Sequence, residues 1–141
     1  TWPALMQVIE QGKVDLDADV NQYLDFKIPA LDGKPVTVRN VLTHTTGFEE
    51  SLKNLISEEG NELPGFDALL KEHVPARIFA PGTTPAYSNY GASLAGYIVQ
   101  RVSGMSFDDY VEQHIFAPLG MNSSTFRQPL PADWKPRMAW A

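Results

Sequence analysis

No cysteine occurs among the 141 residues. Disulfides, thiolate nucleophiles and Cys-based zinc sites are therefore excluded. This absence does not choose a compartment, because oxidised compartments also hold cysteine-free proteins. No apolar run approaches the length of a membrane-spanning helix. Blocks of basic charge are missing as well. The formal net charge is -6, and the 11 Lys and Arg residues are scattered along the chain. That pattern argues against a surface for nucleic acid or anionic lipid, both of which need clustered cations. There is no internal repeat and no low-complexity segment. What remains, 43% hydrophobic and 20% charged residues, is the composition of an ordinary globular domain.

Strand signal is weak, limited to a short extended piece at Val36-Thr37-Val38. Helical periodicity dominates. Trp2, Leu5, Val8 and Ile9 form a first apolar stripe, with Thr1 as a candidate cap, Pro3 in the first turn and Gly12 as the stop. Val38, Val41 and Leu42 follow Thr37, and Gly47 closes that segment. Residues 49–65 read as a polar loop with room for one short helix. Phe66, Leu69, Leu70, His73 and Val74 make the next stripe, ended by Pro75. After the loop 80–86, Tyr90, Leu94, Tyr97, Ile98 and Val102 mark the longest helix, stopped by Gly104. Ser106 and Asp109 resemble a capping box for a last helix that runs toward Pro118. The expectation is a mostly α chain of about five helices.

Most candidate chemistry fails on spacing. Asp15, Asp17 and Asp19 resemble the start of a calcium loop. The sixth and twelfth positions hold Val20 and Phe26 instead of Gly and Glu, so a solvated acidic turn is the better reading. His44, His73 and His114 form no HExxH pattern. His73 and His114 fall on apolar faces and read as packed histidines, while His44 reads as a residue that ties down its turn. Ser93 in GASLAG nearly matches a nucleophile elbow, but it lies inside a helix with no strand before it. Asn122-Ser123-Ser124 is a bare glycosylation pattern without context.

The stretch PAYSNYG leaves more open. Pro85 disfavours helix at Ala86, so Tyr87 is expected in non-helical chain. Residues i and i+2 share a side in extended chain but not in a helix. Tyr87 and Asn89 are thus able to face one cleft together. Tyr brings a phenol that passes a proton, and Asn brings an amide donor and a carbonyl acceptor. Taken alone, Ser88 or Asn89 as a plain helix cap is the better reading.

Three longer stretches bear on that choice. LMQVIEQGKVDLDADVNQYL, VTVRNVLTHTTGF and PGTTPAYSNYGASLAGYIVQRVSGMSFDDYVEQHIFAPLGM occur in this order along most of the chain. Together they resemble the penicillin-recognising serine hydrolases, a group of class C β-lactamases, D-Ala-D-Ala peptidases and esterase-like relatives. The resemblance implies catalytic roles for Tyr87, beside the nucleophilic Ser, and for Asn89, which also binds the substrate amide. It implies acyl transfer through a covalent Ser intermediate, on a β-lactam, a D-amino-acid peptide or amide, or a small ester. The residues themselves give no reason to expect a cofactor or a metal. The resemblance also favours a periplasmic or secreted location, which no feature of the chain itself supports.

Two departures from that family stand out. No Ser has Lys three places on, and no Lys precedes Thr-Gly or Ser-Gly. By resemblance, Ser-x-x-Lys belongs shortly before Thr1 and the Lys-Thr-Gly strand beyond Ala141. The expectation is therefore a single unit over 1–141, the helical subdomain of a serine β-lactamase-like α+β fold. It is cut at both ends, without the central antiparallel sheet. Such a fragment is expected to be inactive alone, with Tyr87 a neutral phenol, because the nearest basic residues in sequence, Arg77 and Arg101, are expected to face solvent and the family Lys is absent. Apolar stripes stripped of their sheet are expected to drive the isolated chain into a homodimer, which light scattering checks. The rival reading is a non-catalytic α-helical binding module that kept the scaffold.

Overall fold

A computed structural model describes residues 1–50 and 65–137. Five α-helices are found there: α1 (Trp2–Glu10), α2 (Val38–Leu42), α3 (Phe66–Glu72), α4 (Asn89–Ser103) and α5 (Phe107–Val111). Among the described residues there is no strand, only three isolated antiparallel bridge pairs. The loop expected over 49–65 lies mostly outside the described residues.

Helix α4 is the axis of the fold. It packs against α1, α2, α3 and α5. This explains why Leu94, Ala95, Gly96, Tyr97, Ile98 and Val99 are all buried, with no break for a solvent face. Gly96 allows the closest approach. A Cβ there would lie 3.3 Å from both Phe66 and Phe107, so the aromatic rings of α3 and α5 close directly over the helix backbone. Helix α1 lays Ala4, Leu5 and Val8 onto this core. Its expected Thr1 cap makes no side-chain hydrogen bond, and Pro in the first turn is the signal that held.

Helix α2 is short but firmly started. Thr37 Oγ1 accepts the Asn40 backbone N–H at 3.2 Å, and Asn40 Oδ1 accepts the Thr37 N–H at 3.0 Å. This reciprocal box satisfies two otherwise orphaned donors. The chain before it is extended, as expected. Val20 N donates to Val36 O at 2.9 Å and Val38 N to Ala18 O at 3.2 Å. The acidic turn has structural work to do: Asp17 grips Arg39 through two bonds of 2.6 and 2.8 Å, and Asp19 caps the 3-10 turn Val20–Gln22.

Two expectations fail for clear reasons. His114 sits on an apolar face only if the last helix stays α-helical. The helix widens instead into a π turn over Glu112–Phe116, which shifts the register. His114 is therefore exposed, its ring resting 4.5 Å from that of Tyr110. Arg77, expected to face solvent, turns inward and donates through Nη2 to Pro29 O. Burial lowers its pKa.

A polar clasp ties the loop at Asp25 to α3 and α4. Lys71 Nζ and Tyr97 Oη each donate to Asp25 at 2.8 Å. The Lys71 bond, then the Tyr97 bond, hold the Asp25 carboxyl at about 2 instead of 3.8. A depressed carboxylate pKa stabilises the fold fully above the ordinary value, and that stability is lost as pH falls through the folded value. Asp25→Asn is accordingly expected to lower Tm slightly at pH 7, the group being exposed. The gap to the parent should close between about pH 4 and pH 2. A gap that stays constant down to pH 2 in thermal melts would count against the clasp.

Candidate active site

The site is built from two loops laid side by side at the N-terminal end of α4. The first runs from Thr43 to Glu50, the second from Ala76 to Ser88. Backbone bonds hold them together: Glu49 N to Ala76 O at 2.8 Å, Ile78 N to Gly47 O at 2.9 Å, Gly82 N to Thr45 O at 2.8 Å and Ala86 N to His44 O at 2.8 Å. Gly47 has φ of 78°, and a Cβ on it would lie 2.0 Å from Phe79 O. Glycine is thus required twice over, for the turn and for the contact.

His44 fixes the second loop through three contacts. It adopts φ of 52°, an uncommon value for a non-glycine residue. Its carbonyl takes the Ala86 N–H, and its Nδ1 accepts from Ser88 N at 3.4 Å. Its ring lies between Trp2, at 5.3 Å, and Tyr87, at 4.8 Å. The residue ties down the turn and packs its ring, tilted, against that of Tyr87.

Helix α4 begins at Asn89, and Ser88 is its cap, with Ser88 Oγ accepting the Gly91 N–H at 3.1 Å. Ser88 is extended (φ -138°, ψ 119°) and 1% exposed, so its side chain turns inward. Tyr87, 61% exposed, faces outward. Tyr87 Oη donates to Asn89 Oδ1 at 2.9 Å. The capping role and the paired Tyr-x-Asn arrangement therefore coexist, because they fall on different residues of the same tripeptide.

Sequence reasoning missed Glu50. Its Oε1 accepts from Asn89 Nδ2 at 2.7 Å, and its Oε2 accepts from the Asn89 backbone N–H at 3.0 Å. Glu50 lies 39 residues from Asn89 in a polar stretch, and no spacing rule singles it out. Trp2 packs against the core, as its place on the apolar stripe suggested, and also sets its ring edge against His44.

Chemically, the pair offers a phenol hydroxyl, an amide and an adjacent carboxylate on an open surface. Ser93 lies within the body of α4, as its helical pattern suggested, and does not form an elbow. Among the described residues no group of three or more His, Asp or Glu is placed to hold a metal ion. No helix described is long and apolar enough to cross a membrane. A cavity of about 470 Å³ lies at the other end of α4, lined by Asp25, Tyr97 and Arg101 among others. It carries neither Tyr87 nor Asn89.

The family model "Beta-lactamase" matches residues 1–140. The putative penicillin-binding protein PbpX of Bacillus subtilis is 31% identical over 134 residues, covering 92% of this chain and 32% of that protein. Monacolin J acid methylbutanoyltransferase of Aspergillus terreus is 28% identical over 153 residues, covering 95% and 37%. A penicillin-binding protein from Bacillus halodurans superposes with a TM-score of 0.74 at 32% identity, covering 92% of this chain and 40% of that one. The chain spans about a third of the length of the curated relatives it matches. Its helices correspond to the helical part of a β-lactamase-like fold. On the match across nearly its whole length, the chain belongs to the beta-lactamase family.

Proposed function

We propose that the chain is the helical subdomain of a β-lactamase-like serine enzyme, and that Tyr87 and Asn89 form one side of its active site. The observation that carries this reading is the 2.9 Å bond from Tyr87 Oη to Asn89 Oδ1 on an exposed edge beside the start of α4. The nucleophilic Ser and its Lys come from a segment outside these 141 residues. In the reaction, the Ser hydroxyl adds to a substrate carbonyl and its proton passes through Tyr87 Oη to the leaving group. The Asn89 amide holds the substrate amide. An acyl-enzyme results, released to water or to an acceptor alcohol. The substrate is a β-lactam, a D-amino-acid peptide or amide, or a small ester. The relatives named for penicillin binding and for methylbutanoyl transfer fit that range.

The test is labelling with a fluorophosphonate probe, followed by peptide mapping. The full-length protein is expected to carry one Ser adduct, outside residues 1–141, and the chain expressed alone is expected to carry none. An adduct on the isolated chain would overturn the division of the site. No adduct on the full-length protein would favour a non-catalytic helical binding module.

A further inference from the structure

We propose that Glu50 is a positioning residue for this reaction, setting which end of the Asn89 amide faces Tyr87. The inference rests on the function proposed above for Tyr87 and Asn89. An Asn side chain has one accepting end and one donating end, and a half-turn of its amide exchanges them. An ionised carboxylate only accepts. Glu50 takes the Nδ2 hydrogen at 2.7 Å, so Oδ1 is directed to the other side, where it meets the Tyr87 hydroxyl at 2.9 Å. The reversed amide would set Oδ1 against the Glu50 carboxylate, two acceptors with no proton between them. It would also leave Tyr87 Oη facing a donor.

The second Glu50 oxygen closes the grip. By accepting the Asn89 backbone N–H at 3.0 Å, it holds the residue from both ends of its side-chain lever. Charge-assisted bonds of this kind are the strong class. Negative charge is also favoured at the first turn of a helix. Ser88 Oγ already serves Gly91 N, so each of the two side chains satisfies one free donor of this turn. Asn89 then presents one remaining Oδ1 lone pair and one Nδ2 hydrogen, while the Tyr87 hydroxyl oxygen keeps its own lone pairs to accept a proton. A bound acyl amide offers the complementary pair, an N–H and a C=O.

Glu50→Ala in the full-length protein tests this, read as the rate of fluorophosphonate labelling of the nucleophile. Loss of the grip is expected to slow labelling by about 10–100-fold, the scale of a small misplacement of a reacting group. Glu50→Gln keeps the side-chain volume and one accepting oxygen, so it secures a folded comparison and is expected to fall between. The deciding measurement is the double variant. In an Asn89→Ala background, Glu50→Ala should change the rate by less than about 2-fold, because Glu50 acts only through that amide. A capping role alone would lower Tm while leaving the labelling rate of the folded protein unchanged. Labelling of both Glu50 variants within about 2-fold of the parent overturns the proposal, as does full slowing that persists without Asn89. If instead Asn89→Ala and Tyr87→Phe label as fast as the parent, the function assigned to that pair is itself wrong, whatever Glu50 does.

Discussion

Tyr87→Phe in the full-length protein is expected to slow acylation by about 10²–10⁴-fold, the range for removing a positioned proton-transfer group. That corresponds to about 3–5 kcal/mol of barrier. Stability should hardly change. The ring is 61% exposed, and Phe keeps its contact with the His44 ring, 4.8 Å away. Only the hydroxyl and its bond to Asn89 Oδ1 are lost. Substitutions at exposed positions of this kind usually fall within about 0.5 kcal/mol. Rate and stability are thus expected to separate, which a residue serving only to shape the loop would not permit. The measurement pairs kcat/KM on a p-nitrophenyl ester with a thermal melt of the same sample. A rate within about 3-fold of the parent at unchanged Tm would remove Tyr87 from the mechanism.

The separation between what sequence foretold and what it hid follows from the range of the interactions. Local signals were legible. Pro85 kept Tyr87 off the helix, Ser88 capped it, and Gly104 ended it in a left-handed turn with φ of 72°. Each rests on steric or hydrogen-bonding rules that span a few residues. The ring support of Tyr87 by His44 spans a longer distance in sequence but leaves a trace, since LTHTTGF and PAYSNYG belong to one recognisable family pattern. Glu50 leaves none. Its bond to Asn89 bridges 39 residues, from an irregular loop to the first residue of α4, and no periodicity links the two. Arg77 and His114 failed for a related reason: inward rotation to Pro29 O and a π turn both depend on packing that a helical wheel does not contain.

Gly47→Ala is expected to be the most damaging single methyl group near the site, although Gly47 touches no reacting atom. Two costs add. The position has φ of 78°, and an L-residue in the left-handed region loses about 1–2 kcal/mol. The new Cβ would also lie 2.0 Å from Phe79 O and 2.8 Å from Phe79 C. Those are backbone atoms, and no rotamer change relieves them. The two loops must part, which strains the Ile78 N–Gly47 O and Glu49 N–Ala76 O bonds and uncovers Phe48, now 2% exposed. A total near 3–5 kcal/mol is expected, in the tail reached by strain and overpacking. Gly12→Ala separates the terms, because Gly12 has φ of 70° but nothing within 4 Å of its virtual Cβ. That variant should cost only the conformational part, about 1–2 kcal/mol. Equal Tm losses for the two in the full-length protein would show that the loops part without penalty, and that their contact does not hold Tyr87 in place. With the expected inequality, activity should fall with the Gly47 change even in the fraction that stays folded, since His44 and Ala86 ride on the same pair of loops.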